Sequence, residues 1–239
     1  RTSLFTGDNY NIIRGEALAL RAMLHFDMLR LFGPVYSRNK DKLSIPYYTA
    51  QTNLPEEQLP ASEVIRKVIT DLEEARILLV NDPVKTEGTM MSGDVNQNSN
   101  FLRYRALRMN YYAVTALLAR VYLYGNEREL ALAQAKEIIG EVNGENPTSY
   151  ELANSSATSG NPMFSSELIF TLDVQKLKDL SEVYFTENSN SVSSILSMSS
   201  SGKANIFNSG GLESDFRSSW MTLGTDGDSY VLGKYKDMR

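Results

Sequence analysis

Flat aromatic rings and charged side chains lie close together near the carboxyl end of the chain. The set comprises Asp215, Arg217 and Trp220 in DFRSSWMTLG, Tyr230 in GDSYVLGKY and Tyr184 in SEVYFTENSN. Such rings pack against the CH-rich faces of pyranose sugars, and Arg and Asp pair with sugar hydroxyls. These residues are therefore candidates for sugar binding, while the alternative interpretation is that the rings anchor loops on a scaffold. Tyr47 and Tyr48 in SIPYYT are weaker candidates, because the flanking proline predicts a packed extended segment there.

The sequence contains few candidate catalytic residues. His25 is the only histidine, which excludes HExxH and other multi-histidine metal sites. It lies within a helical pattern, where we expect a hydrogen-bonded structural role rather than a place in a Ser-His-Asp triad. No GxSxG, GxGxxG or Walker motif occurs. Adjacent carboxylates such as Glu73 and Glu74 are typical of a solvated helix surface. We therefore interpret the sequence as that of a protein that is not an enzyme.

Metal and cofactor sites are equally poorly supported. Residues 94–105 start like a calcium loop, but Ser99 and Arg105 stand where that loop needs Gly and a bidentate Glu. The chain contains no cysteine, which excludes thiolate ligands. The stretch 226–229, DGDS, predicts a turn. We expect neither a metal nor a cofactor.

Composition is typical of a globular protein that can bury a substantial core, since 42% of the 239 residues are apolar and 22% are charged. A net charge of −5 disfavours nucleic acid and anionic lipid surfaces as partners. No charge-free apolar run is long enough for a membrane-spanning helix. The chain starts without an initiator methionine or a signal peptide, and we expect it to be a piece of a longer protein.

The spacing of apolar residues is typical of helices in four segments. It predicts helices over 11–32, 62–79, 104–124 and 127–142. The first should end at Gly33 and Pro34, because glycine suits the cap and proline cannot continue the helix. Only Gly125 and Asn126 separate the last two, which predicts an antiparallel helical hairpin.

The first helix is apolar on nearly every side, which indicates packing against several neighbours. It ends in LRLFG at 29–33, much as the third helix ends in VYLYG at 121–125. Long helices that each precede a more amphipathic partner are typical of stacked pairs in tetratricopeptide arrays. The predicted fold class is all-α, with tetratricopeptide-like stacked helix pairs.

Beyond the helices the chain is rich in Ser, Asn, Thr and Gly. We therefore predict a helical scaffold domain over 1–142 and a loop-rich excursion over 143–239 that carries the ligand loops. Within the excursion, the β-branched and aromatic content of SELIFTLDV at 166–174 predicts one short strand.

Several stretches, taken in order, resemble the SusD/RagB family. Gly15-Glu16-Ala17, Leu20-Arg21-Ala22 and the run FDMLRLFG at 26–33 are similar to that family's signature helix. The stretches 62–75, 113–139 and 167–170 are similar to the blocks that follow it. The blocks occur in the correct order over residues 10–175, so the chain resembles an internal fragment of the family's length.

The resemblance implies a helical scaffold whose loop-rich excursions hold the ligand site. It implies a surface-exposed lipoprotein of the cell outer membrane, anchored by lipid in the parent protein. Such a protein captures a glycan, or another nutrient, and delivers it to a TonB-dependent transporter of the SusC type. No motif of the family assigns its ligand-binding aromatics to positions in this chain. The alternative is a helical-repeat scaffold that binds protein partners without binding sugar.

Overall fold

The computed structural model describes residues 7–89, 101–140, 150, 164–174, 176, 179, 196–207, 215–224 and 227–233. The chain forms two compact units. The first comprises Arg1–Glu151 with Ser166–Thr171, and the second comprises Leu152–Ser165 with Leu172–Arg239. The domain boundary that we predict between residues 142 and 143 lies outside the described residues.

The first unit is built from helices. They are α1 (Asn9–Phe32), α2 (Tyr36–Asn39), α3 (Ala61–Leu78), α4 (Val84–Glu87), α5 (Tyr111–Tyr124) and α6 (Arg128–Ile139). The four long helices confirm the predicted helical segments, and α5 and α6 pack against each other after a short turn. The predicted all-α class is thereby confirmed. Among the described residues, no helix combines the length and apolar content that crossing a membrane requires.

The third predicted helix begins later than its apolar pattern suggests. Residues Arg105–Leu107 form a 3-10 turn, and Asn110 then caps α5 by accepting a hydrogen bond from the Ala113 amide at 3.0 Å. Asparagine is favoured at this position because it pairs an amide that the first helical turn leaves unpaired. The Asn110 amide group also donates to the carbonyls of Arg105 and Ile169 at 2.9 and 2.7 Å. One side chain thus begins the helix and holds two neighbouring segments.

The prediction of a strand over 166–174 is wrong. The segment opens with a 3-10 turn and continues as irregular chain. Its backbone is paired without a neighbouring strand, because the Thr171 amide donates to the Ala106 carbonyl at 2.8 Å and an asparagine side chain pairs the Ile169 carbonyl. Ile169 and Phe170 pack against the helical core. The β-branched and aromatic pattern therefore marked burial rather than strand pairing.

The inner face of α1 packs along α3. The buried residues of α1 are Ile12, Gly15, Ala19, Ala22, Phe26 and Leu29. The closest approach is at Gly15, where an added Cβ would lie 2.8 Å from Leu79 Cγ and 3.1 Å from the Ala75 carbonyl oxygen. Glycine therefore allows the two helices to come closer than any other residue would.

The opposite face of α1 contradicts the prediction that this helix is packed on nearly every side. Leu20, Leu24, Met28 and Leu31 are exposed, with 59% of Leu24 and 73% of Leu31 accessible. The helices of the described residues that pack against α1 are mainly α3 and, to a lesser extent, α5. Both contact the inner face, so the outer apolar residues have no layer above them in the described part of the chain.

A buried ion cluster joins α1 to the turns before α4 and α5. Arg105 and Asp82 are fully buried and paired through two hydrogen bonds of 2.9 and 2.6 Å. Glu16 of α1 accepts a further bond from Arg105 at 2.6 Å. The Asp82 carboxylate also accepts the amides of Val84 and Tyr111, both at 3.0 Å, so each of its oxygens has two donors.

The second unit contains a small antiparallel sheet. The described elements of this unit are β1 (Ser197–Ser199), α7 (Ser200–Phe207), a 3-10 turn (Phe216–Trp220), β2 (Met221–Leu223) and β3 (Ser229–Leu232). The strand order is β1-β3-β2. Gly227, at φ +76°, stands in the turn between β2 and β3, where its amide donates to the Gly224 carbonyl at 3.1 Å. A turn is what the sequence predicts at this position.

Gly15→Leu should destabilise the protein by about 2 kcal/mol or more, because the new side chain would force α1 and α3 apart. Ala17→Leu is the matched control, since Ala17 is exposed two positions further on and the change should stay within about 0.5 kcal/mol. Urea unfolding followed by circular dichroism measures both. Equal stabilities of the two variants would contradict the close approach at Gly15.

Asp82→Asn should cost about 3–5 kcal/mol, because it leaves the buried guanidinium of Arg105 undercompensated. Asp27→Asn serves as the control, since Asp27 pairs with Arg30 at 3.1 Å on the surface of α1. An exposed pair of this kind contributes only about 0.2–1 kcal/mol. Thermal unfolding of the two variants checks the difference, and a loss at Asp82 no larger than at Asp27 would refute the role of the cluster.

Candidate functional site

The sheet of the second unit places the Tyr230 ring on its more apolar face. Tyr230 of β3 is paired with Met198 of β1 on one side and with Leu223 of β2 on the other. Directly opposed residues share a face of a sheet, and the next residue along a strand points to the other face. Val231, which is buried, therefore lies on the opposite face from Tyr230.

A cation covers one side of the Tyr230 ring. The Nζ atom of Lys203, in α7, lies 4.1 Å from the ring centroid, which is a favourable cation–π distance. The tyrosine as a whole is half-buried. One ring face is therefore occupied, and Tyr230 offers a ligand less flat surface than its residue type suggests.

Trp220 ends the 3-10 turn of the second unit and is half-buried. Its ring contacts that of Phe164, with centroids 5.6 Å apart and planes inclined by 34°. Phe164 is buried and adopts φ 51°, a left-handed conformation that costs a bulky residue on the order of 1–3 kcal/mol. Such strain persists only where the surroundings impose it. Phe164 is therefore a fixed support beside the tryptophan.

Asp215 and Arg217 form a pair in the same turn as Trp220. Asp215 accepts the backbone amide of Arg217 at 3.0 Å, and its carboxylate lies 2.5 Å from the guanidinium. The hydrogen bond from Arg217 lowers the pKa of Asp215. About 60% of the Arg217 side chain is exposed. The structure thus brings Asp215, Arg217 and Trp220 together in one turn, as their spacing suggests.

Tyr184 and the calcium-like residues 94–100 lie outside the described residues. Within the parts of the chain that the structure does describe, no group of His, Asp and Glu side chains is arranged to hold a metal ion.

Tyr47 is buried and has a structural role, so it is not available to a ligand. Its hydroxyl donates to Asp71 at 2.7 Å, and its ring stacks on His25 with centroids 4.1 Å apart. Burial raises the pKa of Tyr47, and the hydrogen bond to Asp71 raises it further. The Nε2 atom of His25 accepts the Tyr48 amide at 3.0 Å, so its Nδ1–H donates to the Arg21 carbonyl at 2.8 Å. His25 is thus the hydrogen-bonded structural histidine that the sequence predicts.

Sequence reasoning did not identify an open cleft of the helical unit. Its volume is about 510 Å³, and it is lined by Glu73, Arg76, Ile77, Val80 and Tyr111. Arg76 pairs with Glu137 at 2.9 Å and with Gln134 at 2.5 Å, and the Tyr111 hydroxyl donates to Glu137 at 2.7 Å. The signal available in the sequence was a pair of apolar residues three positions apart, Ile77 in the last turn of α3 and Val80 just after its end, neither of which belongs to the buried face of the helix.

Comparisons with known proteins identify the fold. No protein-family model and no curated protein matches the sequence. A SusD superfamily protein from Bacteroides thetaiotaomicron VPI-5482 is 23% identical, with a TM-score of 0.65 over 94% of this chain and 45% of that chain. A SusD-like carbohydrate binding protein from Bacteroides vulgatus ATCC 8482 is 18% identical, with a TM-score of 0.62 over 91% of this chain and 41% of that one.

The chain therefore has the SusD-like fold, with tetratricopeptide-like stacked helices, as the sequence resemblance predicts, and it also contains a small sheet. It spans less than half the length of these two structures. Its identity to them is too low to transfer a ligand site residue by residue.

Trp220 is the only tryptophan, so its fluorescence reports on this turn alone. Phe164→Ala should increase quenching of that fluorescence by acrylamide, because it removes the ring that shelters one side of the indole. Phe101→Ala, which removes an exposed ring of the helical unit, should leave quenching unchanged. Stern–Volmer constants for the two variants give the comparison, and unaltered quenching in Phe164→Ala would show that Phe164 does not support the tryptophan.

Proposed function

We propose that this chain is part of a SusD-like protein that binds a glycan at the cell surface without catalysis. The observation that carries the proposal is the half-buried Trp220 in the same turn as the Asp215–Arg217 pair. The SusD-like fold supports it, since one structure of that fold is described as carbohydrate binding.

The proposed contacts follow from the chemistry of the turn. The indole of Trp220 stacks on the CH-rich face of a sugar ring, and Phe164 holds the indole in place so that little mobility is lost on binding. Arg217 donates to hydroxyl oxygens, and Asp215 accepts from hydroxyl hydrogens. Because these two charges pair with each other, the turn suits an uncharged saccharide better than an anionic one. No metal or cofactor takes part.

Tyr230 and Tyr184 are secondary members of the proposed site. Tyr230 contributes its hydroxyl or its remaining ring face, because Lys203 covers the other face. Tyr184 remains a candidate on residue type alone.

Delivery to a SusC-type TonB-dependent transporter, and lipid anchoring in the outer membrane, complete the proposal for the parent protein. Both rest on the sequence resemblance and on the fold. The genomic neighbourhood tests them: an adjacent transporter gene and an upstream lipobox support the proposal, and a parent gene with neither would contradict it.

Isothermal titration against neutral polysaccharides, such as α-glucan, β-glucan, xylan and mannan, tests glycan binding directly. Trp220→Ala should weaken binding at least about tenfold, which corresponds to about 1.4 kcal/mol. Trp220→Phe should retain most of the affinity, because a flat ring remains. Tyr10→Ala, at an exposed ring of α1, is the control and should bind normally.

Two results would count against the proposal. If neither residues 1–239 nor the longer parent protein bound any of the polysaccharides, glycan capture would be excluded for this panel. If binding occurred but Trp220→Ala left it intact, the turn would not be the binding site. A bound glycan should also protect Trp220 from acrylamide quenching.

The second candidate is a helical scaffold that binds a protein partner and no sugar. The open cleft beside α3 favours it, because Ile77 and Val80 are exposed there. Val80→Asp should abolish partner binding under this alternative and leave polysaccharide titrations unchanged under the first.

A further inference from the structure

Helix α1 has two apolar faces on opposite sides. At 100° per residue, the buried residues of its inner face fall within an arc of about 100°. A second set falls within an arc of about 80° on the far side, and we call it the outer seam: Ile13, Ala17, Leu20, Leu24, Met28 and Leu31. No charged residue lies within the outer seam.

Three charged residues of α1, Arg14, Glu16 and Arg21, lie on the flanks between the two faces, and each has a partner elsewhere in this chain. Arg14 pairs with Glu74 at 2.5 Å, and Arg21 pairs with Asp71 at 2.6 Å. On the other flank, Glu16 accepts from the buried Arg105. Whatever covers the outer seam is therefore recognised by apolar shape and not by these charges.

The outer seam is too long to be an ordinary scattering of exposed apolar residues. Leu20, Leu24, Met28 and Leu31 are 38%, 59%, 46% and 73% exposed. They follow each other at helical spacing along a helix of 24 residues, which is about 36 Å long. Contiguous apolar surface of this kind marks an interaction site.

We infer that the outer seam is the docking face for an amphipathic α-helix from the part of the SusD-like fold that residues 1–239 do not span. The chain covers 45% and 41% of two structures of that fold, so more than half of the fold is available to supply the helix. Helices in stacked arrays are covered by neighbours on both sides. A partner with its own apolar stripe at positions i, i+3, i+4 and i+7 matches the length and the lack of charge of the seam.

A second copy of the chain is the competing occupant. A helix on the same polypeptide has an effective concentration in the millimolar range, so it displaces a second copy at ordinary protein concentrations. The two occupants differ in their response to dilution, because only association between copies is lost as the protein is diluted.

The absence of cysteine allows a direct test by single-cysteine labelling. Leu24→Cys reports on the outer seam, and Thr70→Cys, on the solvent side of α3, is the matched control. Maleimide reaction rates are measured in residues 1–239 and in the full polypeptide encoded by the parent gene, at micromolar and nanomolar concentrations. Circular dichroism verifies that each variant is folded.

In residues 1–239 the two variants should react at similar rates. In the full polypeptide, Leu24→Cys should react at least about tenfold more slowly, at both concentrations, while Thr70→Cys is unchanged. Equal rates in the full polypeptide, or a parent gene that encodes no further helix, would overturn the inference. Protection that appears in residues 1–239 and vanishes on dilution would assign the seam to a second copy instead. The inference rests on the fold and stands whether or not a polysaccharide binds.

Discussion

The complete burial of the Arg105 guanidinium constrains how the segments of the helical unit meet. A charged group in the interior must be paired, and Arg105 finds its partners in Asp82 and Glu16, on segments distant in sequence. Tyr104, immediately before it, adopts φ 55°, a strained conformation that the surrounding contacts must stabilise. Since Asp82 also accepts the first amide of α5, the same cluster sets where the α5–α6 hairpin begins. Helix α1, the turns and the hairpin are therefore positioned together and not one at a time.

The sequence contained most of the helical frame but little of this cluster. Helical periodicity depends on neighbours three and four positions away, so it identified the long helices. The contact between Glu16 and Arg105 joins residues 89 positions apart, and no local pattern marks it. The late start of α5 was in principle readable, because Asn110 is a favoured cap. The error at 166–174 has a different cause: Ile169 and Phe170 are apolar because they pack on the core, and their strand-like composition carried no information about backbone pairing.

The candidate site was predictable by residue type and not by geometry. A lone tryptophan among serines, with Asp215 and Arg217 nearby, indicates a surface with both flat and polar character. Sequence spacing does not reveal two tertiary contacts of these rings. Phe164 packs against Trp220, and the Lys203 cation lies over the Tyr230 ring. These contacts make the two rings unequal, because the tryptophan is held by an aromatic neighbour while the tyrosine has one face taken by a charge. Under the proposal of an uncharged glycan ligand, the tryptophan is the stronger anchor of the two.

The two-faced composition of α1 connects the frame to the wider fold. A helix in an outer layer needs one apolar stripe, whereas a helix between two layers needs two, and α1 has two on opposite sides. Gly15 on the inner face allows α1 and α3 to approach very closely, so this contact depends on close shape complementarity between the two helices. The outer face has larger, flexible side chains such as Leu24 and Met28, which adapt to a partner by rotamer changes. Since the flank charges are used within this chain, the polypeptide encodes a rigid fit on one side of α1 and a more adaptable one on the other.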